Sequence, residues 1–169
     1  WVNRFEMVMF FKNYMTQFVI NVIVGFPVVY VNLEGTPKAG LILWLGFVVW
    51  VVGFFFEAVG DEQLRRFKAR PENKGRLMTE GLWAWTRHPN YFGDAAIWWG
   101  IYLISLSGDL GRAWLVFSPL LMTFMLLYVS GVPLLEKKYE GRADWEAYTR
   151  RTSKFFPRPP KGESNSGKL

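Results

Sequence analysis

Apolar residues fall into four long blocks along the chain, and each block ends at a polar or glycine-rich break. The blocks run from about Tyr14 to Leu33, from Gly40 to Val59, from Asn90 or Tyr91 to near Ser107, and from Ala113 to Leu135. A transmembrane helix needs about 20 predominantly apolar residues, so each block has the length of a span. The pattern therefore predicts an all-α, polytopic transmembrane helix bundle with about four spans and a long loop between spans two and three.

Composition favours a membrane protein over a soluble one. Hydrophobic residues make up 51% and aromatic residues 18% of the 169 residues, with nine Trp and fifteen Phe. A soluble core of this size rarely needs so many large aromatic side chains. A soluble bundle of buried helices is the alternative, but four such apolar blocks are hard to bury within one short chain.

The distribution of positive charge predicts the orientation of the bundle. The net charge is +6, and sixteen of the twenty Lys and Arg residues lie between residues 65 and 87 or from residue 137 onward. The positive-inside rule then places residues 60–89 and the carboxy-terminal tail in the cytoplasm. A nucleic-acid footprint is the alternative for these basic stretches, but no nucleic-acid-binding module accompanies them. We expect the lipid bilayer, and no nucleic acid, as a partner.

Several chemical classes are excluded by the residues that are missing. The chain has no cysteine and a single histidine, His88, so a zinc or other metal site is not expected. It carries neither a Gly-x-Gly-x-x-Gly fingerprint nor a Walker loop. A nucleotide would therefore be held by a route other than these two.

The stretch from Thr86 to Asp94 places Arg, His, Asn and Asp side chains at the mouth of the third apolar block. Polar residues are costly there and usually functional. His88 precedes a proline and should be extended, so the next helix should begin near Asn90. Its free N–H groups and its positive dipole end would then lie beside Arg87 and His88, which favours an anion such as phosphate or carboxylate.

Structural roles are the alternative for the same residues. Arg87 and His88 could simply mark the membrane boundary and bind lipid headgroups. Asn90 could cap the helix, and Asp94 could form an ion pair with Arg87.

Four motifs point to a family. They are Gly81-Leu82-Trp83, Thr86-Arg87-His88-Pro89-Asn90-Tyr91-Phe92-Gly93-Asp94, Trp98-Trp99-Gly100, and the closing stretch from Tyr148 to Pro157. Together they resemble the carboxy-terminal domain of steroid 5-alpha-reductase-like membrane proteins, and most closely a bacterial branch of unknown function. The same superfamily includes isoprenylcysteine carboxyl methyltransferases and phospholipid methyltransferases, which share an Arg-His-Pro-x-Tyr-x-Gly signature.

The resemblance implies a function, a cofactor and a set of site residues. The implied activity is NADPH-dependent reduction of a carbon–carbon double bond in a lipid or steroid-like substrate. The alternatives are an S-adenosylmethionine-dependent methyltransferase of a membrane-embedded substrate and a non-enzymatic lipid-binding protein. Carried over position by position, the cofactor-binding residues are Asp61, Lys68, Arg76, Arg87, His88, Asn90, Tyr91 and Asp94. Lys68 stands where the family often has Arg, and Asp94 where it usually has Glu.

The resemblance also implies what surrounds this domain. Residues 1–157 correspond to the reductase-like transmembrane domain, and residues 158–169 are expected to form a disordered polar tail. Related proteins have more amino-terminal spans, and we expect the catalytic acid there. No catalytic residue is therefore assigned in this chain. The implied location is a bacterial inner membrane, and the oligomeric state stays open.

Overall fold

A computed structural model describes residues 2–160, and the fold over this range is helical. Helices make up 76% of the structure, and the described part contains no strand. The helices are α1 (Val2–Met9), α2 (Thr16–Glu34), α3 (Leu41–Ala69), α4 (Leu82–Trp85), α5 (Pro89–Leu106), α6 (Phe117–Phe124), α7 (Val132–Lys137) and α8 (Ala143–Arg151). Short π-helical segments (Phe10–Met15 and Met125–Val129) and 3₁₀ segments (Pro71–Asn73 and Leu110–Val116) lie between them. The predicted all-α class is confirmed.

Three continuous helical stretches are long and apolar enough to cross a membrane. They are Glu6–Glu34, Leu41–Ala69 and Leu110–Lys137, with 29, 29 and 28 residues. At most 33% of the residues in the apolar window of each stretch are buried inside the protein. Most of their large apolar side chains therefore point outward. Such a surface is favourable in contact with lipid and unfavourable in contact with water. The chain is therefore an integral membrane protein.

The predicted third span is the least apolar of the four. Its helix, α5, has 18 residues and begins at Pro89, one residue before the predicted start. Proline is favoured at this first helical position because its missing N–H is not needed there. Asn90 and Asp94 in the first turns lower the hydropathy of α5, so it is not among the three helices that qualify as spans. The predicted count of about four is thus approximate.

Glycines bring α3 and α5 into direct backbone contact. A Cβ atom on Gly53 of α3 would lie 2.7 Å from the carbonyl oxygen of Gly93 on α5, and one on Gly100 would lie 2.8 Å from the carbonyl oxygen of Gly46. The glycines recur every seven residues on both helices. Gly46, which comes first on α3, faces Gly100, which comes last on α5, so the two helices are antiparallel. Small residues at this spacing let two membrane helices pack closely.

Polar contacts tie the other helices into the bundle. The Ser118 hydroxyl donates to the Val24 carbonyl at 2.6 Å, joining α6 to α2. Buried Arg112 donates to the carbonyls of Ser105 and Gly35 at 3.2 and 3.4 Å, near the ends of α5 and α2. A cation at two helix carboxy termini is favoured by both helix dipoles. Arg112 therefore has a structural role in the bundle.

The last helix, α8, and the short helix α4 close the opposite end of the bundle. The Tyr148 hydroxyl of α8 donates to the Trp83 carbonyl at 2.5 Å, and the Trp83 indole N–H donates to the Gly60 carbonyl at 3.0 Å. We call this end the basic end, because it carries residues 60–89 and the chain from residue 137 onward. A small buried cluster lies beneath it, formed by Ala95, Leu126, Val132 and Phe155.

Candidate functional site

The segment that follows α8 fixes the stretch before α5. Thr86 is fully buried, and its hydroxyl donates to the Phe155 carbonyl at 2.8 Å. The Arg87 N–H donates to the Ser153 carbonyl at 2.9 Å, and the Arg158 N–H donates to the Trp85 carbonyl at 3.0 Å. These bonds between distant parts of the chain hold Arg87 and His88 in place. The predicted tail begins at Arg158, and its residues 161–169 lie outside the described residues.

Arg87 and His88 meet one carboxylate, that of Glu136 at the end of α7. His88 Nε2 lies 3.0 Å, and an Arg87 guanidinium nitrogen 3.3 Å, from the same Oε1 atom. The side chains of His88, Arg87 and Glu136 are only 4%, 11% and 21% exposed. Charges in so dry a setting interact strongly. The predicted anion corner beside α5 is thus filled by a carboxylate of the protein.

Glu136 was not among the residues that the sequence predicted. A signal was present, because Glu136 is an acid at the very end of an apolar block and directly precedes Lys137 and Lys138. An acid at the edge of a span usually has a partner in the bundle. The alternative pairing of Arg87 with Asp94 is not formed, since Arg87 contacts Glu136. Burial of Arg87 and His88 also argues against a role only as lipid-headgroup contacts.

Unpaired polar atoms surround this ion cluster. Among the described residues, Arg87 Nε, His88 Nδ1 and Asn90 Oδ1 are buried without a hydrogen-bond partner. Buried polar groups normally have partners, so such atoms indicate a missing ligand or water. Because a carboxylate only accepts, His88 donates from Nε2 when neutral and keeps Nδ1 as an acceptor. The ring itself is fixed by stacking on Tyr91 at 5.6 Å.

Two adjoining cavities lead from the surface of the basic end to this cluster. The inner cavity has a volume of about 100 Å³, and Arg87, His88 and Tyr148 are part of its lining. The outer cavity has a volume of about 510 Å³. Both are lined by Leu64, Lys68, Met78 and Tyr139. We call the two cavities together the basic groove.

The outer cavity is lined by cations and by no acidic residue of the described chain. The cations are Lys68, Arg70, Lys74, Arg76, Lys138 and Arg142. Part of this wall is firmly built, because Arg142 donates to the Gly75 carbonyl at 2.9 Å and to Asp144 at 2.6 Å. The hydrogen bond from Arg142 lowers the pKa of Asp144 below its usual range. A phosphorylated ligand would fit this donor set, since Lys and Arg are the usual phosphate-binding side chains.

The acidic residues predicted at the cofactor lie elsewhere. Asp61 and Asp94 line a separate cavity of about 400 Å³ together with Glu57. Phosphates would be repelled there, so contacts of Asp61 or Asp94 with a cofactor would be limited to its uncharged parts. The predicted grouping of eight residues is therefore divided in the structure.

The remaining predicted residues lie in the groove or beside it. Lys68, Arg76, Arg87 and His88 line the basic groove. Tyr91 stacks on His88 from the first turn of α5. Asn90 is half-buried where α5 begins, and its backbone nitrogen would lie 3.3 Å from a Cβ atom on Gly60 of α3. Asn90 is not among the residues that line the groove.

The described fold and motifs agree with a comparison against known families. Residues 1–152 match the family described as "Protein of unknown function (DUF1295)". The chain belongs to the DUF1295 family. DUF1295 proteins are membrane proteins related to steroid 5-alpha-reductase, so the resemblance seen in the sequence is confirmed at the level of the family.

Comparison with individual proteins adds one partial relative. The DUF1295 chain is similar to "Probable O-methyltransferase ustE" of Ustilaginoidea virens, with 40% identity over 57 residues, or 34% of this chain. The matched stretch spans only 20% of the length of that relative. No solved structure matches the chain.

Proposed function

We propose that this DUF1295 protein binds NADPH in the basic groove and serves the reduction of a carbon–carbon double bond in a lipid or steroid-like substrate. The observation that carries the proposal is the lining of the outer cavity. It contains six cations and no acidic residue of the described chain. NADPH carries several negative charges on its phosphates, and these need Arg and Lys partners. S-adenosylmethionine has no phosphate, so it would make no use of this set of cations.

The groove offers different chemistry at its two ends. Arg76 and its cationic neighbours at the open end would hold phosphates, and Lys68 lies at the junction of the two cavities. Arg87 and His88 at the inner end have unpaired nitrogens that could orient a polar ring. When bound, NADPH would supply the hydride. The protein would hold the ligand in one orientation and exclude water from the inner end.

The proposal includes the orientation of the protein in the membrane. We place the basic end in the cytoplasm, where the groove has access to soluble NADPH, and the membrane would be the bacterial inner membrane. The sixteen cations of residues 65–87 and 137–169 support this orientation.

A methyltransferase is the second candidate function. It is supported by the partial similarity to a protein named as a probable O-methyltransferase. In this reading the groove would hold S-adenosylmethionine as the methyl donor for a membrane-embedded substrate. The outer cations would then serve mainly to bind anionic headgroups.

Binding of NADPH and of S-adenosylhomocysteine to the purified full-length protein separates these functions. We expect NADPH to bind and S-adenosylhomocysteine not to bind. Since a hydrogen bond to a charged group contributes about 1.5–3 kcal/mol, Arg76→Ala should weaken NADPH binding by roughly tenfold or more. Binding should also weaken as salt rises.

Arg65→Ala is the matched control. It removes an exposed cation near the end of α3 that pairs with Glu62 at 2.7 Å and does not line the groove. NADPH affinity should be unchanged in this variant. Wild-type NADPH affinity in Arg76→Ala, together with tight binding of S-adenosylhomocysteine, would contradict the reductase proposal and support the methyltransferase.

A further inference from the structure

A second basic cavity lies at the end of α8, apart from the basic groove. It has a volume of about 320 Å³ and is lined by Thr149, Arg150, Arg151, Thr152, Ser153, Lys154, Arg158 and Pro159. It shares no lining residue with the groove. Four of its lining residues are cations, and no acidic residue of the described chain lines it. We call it the tail cavity.

The tail cavity contains an unpaired hydroxyl. Thr152 is 4% exposed, and its Oγ1 atom has no hydrogen-bond partner among the described residues. The backbone of Thr152 is fixed, because its N–H donates to the Tyr148 carbonyl at 3.0 Å. A buried hydroxyl without a partner is unfavourable unless a ligand or water pairs with it. A threonine hydroxyl beside cations can donate to an anionic oxygen.

Exposed aromatic side chains flank the tail cavity. Trp85 is 45% exposed and Phe156 is 62% exposed. Trp85 accepts a backbone hydrogen bond from Arg158, and the Phe156 ring lies 6.1 Å from the Phe92 ring in the first turn of α5. Aromatic residues beside the end of an apolar helix are typical of the boundary between lipid and water. These aromatic side chains favour a position of the tail cavity at the level of the lipid headgroups.

We propose that the tail cavity binds the phosphate of an anionic phospholipid headgroup. The cations would neutralise the headgroup and the Thr152 hydroxyl would donate to a phosphate oxygen, while Trp85 and Phe156 contact the first part of the acyl chains. A lipid is favoured over a soluble phosphate compound because the cations and the exposed aromatic side chains occur together. The proposal does not require the cofactor proposed for the basic groove, because the two sites share no lining residue.

Lipid retention in nanodiscs tests the proposal. The full-length protein is placed in nanodiscs of phosphatidylcholine alone or with phosphatidylglycerol, and bound lipid is measured by native mass spectrometry. Wild type should retain phosphatidylglycerol in preference to phosphatidylcholine. Arg151→Gln combined with Lys154→Gln should lower phosphatidylglycerol retention by about tenfold.

Two further variants make the test specific. Arg65→Gln combined with Arg66→Gln removes the same charge from exposed positions that pair with Glu62, and retention should not change. Thr152→Val keeps the shape of the side chain but removes the unpaired hydroxyl. It should lower phosphatidylglycerol retention severalfold without lowering thermal stability in phosphatidylcholine.

Three results of these measurements would contradict the lipid site. An equal loss of retention in the Arg65 and Arg66 variant would show a general charge effect and overturn the site. Wild-type retention in Thr152→Val would place the lipid elsewhere. Displacement of phosphatidylglycerol by millimolar inorganic phosphate would show that the cavity takes a free anion, which also contradicts the proposal.

Discussion

The imidazole Nε2 atom of His88 lies 3.0 Å from the carboxylate Oε1 atom of Glu136, although 48 residues separate them in the chain. Arg87 reaches the same oxygen at 3.3 Å. Glu136 thereby joins the start of α5 to the end of the last apolar stretch. Two basic side chains on one half-buried carboxylate make this contact the electrostatic centre of the basic end.

Removing the charge of Glu136 should destabilise the protein. Glu136→Gln keeps the size of the side chain but leaves Arg87 without a counter-charge at a mostly buried position. We expect the free energy of unfolding to fall by about 2 kcal/mol. Reversible unfolding in mixed micelles measures the change. Glu140→Gln, at an exposed position nearby, is the control and should have little effect; equal stabilities in the two variants would contradict the role of Glu136.

Local signals predicted most of the fold but only part of the site. The apolar blocks and Pro89 are readable because they depend on neighbouring residues. The ion cluster of Glu136 was missed because it depends on packing across 48 residues. For the same reason the sequence could not separate Asp61 and Asp94 from the cations of the groove. Carboxylates and cations that are close in sequence here line different cavities.

The glycine contacts between α3 and α5 should tolerate no added methyl group. In Gly53→Ala the new Cβ atom would lie 2.7 Å from the Gly93 carbonyl oxygen, so the helices must move apart. We expect a loss of about 1–3 kcal/mol in the free energy of unfolding. Gly25→Ala in α2 is the matched control, because no atom lies within 4 Å of its new Cβ. Thermal stability of Gly25→Ala should be unchanged or slightly higher. A Gly53→Ala variant more stable than Gly25→Ala would contradict the close packing of α3 on α5.

Accessibility of single cysteines should show whether α5 crosses the membrane. The chain has no cysteine, so Glu72→Cys and Ala147→Cys each introduce one reactive thiol at an exposed position. If both α5 and Leu110–Lys137 cross, these two thiols react with an impermeant reagent from the same side. We expect that side to be the cytoplasm, and Lys38→Cys to react from the other. Labelling of Glu72→Cys and Ala147→Cys from opposite sides would mean that α5 does not cross.

Stability at alkaline pH should depend on Tyr148. Burial raises the pKa of Tyr148 above its usual range, so the hydroxyl of the folded protein stays protonated when the unfolded chain ionises near pH 10. The unfolded state then binds fewer protons, and stability falls as the pH rises above about 10. Tyr148→Phe loses the bond to the Trp83 carbonyl and should be less stable at neutral pH by about 1 kcal/mol.

The difference between wild type and Tyr148→Phe should therefore shrink as the pH rises. Above pH 10 the difference in the free energy of unfolding between the two proteins should change by about 1.4 kcal/mol per pH unit. Unfolding of both proteins at each pH measures it. Other tyrosines occur in both and cancel. A constant difference between the two proteins from neutral to alkaline pH would show that Tyr148 ionises freely.

Asn90 tests whether the proposed NADPH site extends beyond the residues that line the basic groove, which do not include Asn90. Its Oδ1 atom is buried without a partner among the described residues, so Asn90→Ala removes no internal bond of that atom and should leave stability nearly unchanged. If the oxygen instead orients the reacting ring of NADPH, the variant should still bind NADPH through the groove cations. The rate of hydride transfer should then fall far more than the affinity, because alignment is lost.

Single-turnover oxidation of NADPH with a reducible lipid enone measures this rate. Asn32→Ala is a suitable control, since Asn32 is exposed and bonds only locally, to the Val28 carbonyl at 2.7 Å. It should keep the wild-type rate. A full rate in Asn90→Ala would assign Asn90 a structural role, and turnover supported only by S-adenosylmethionine would establish the methyltransferase instead.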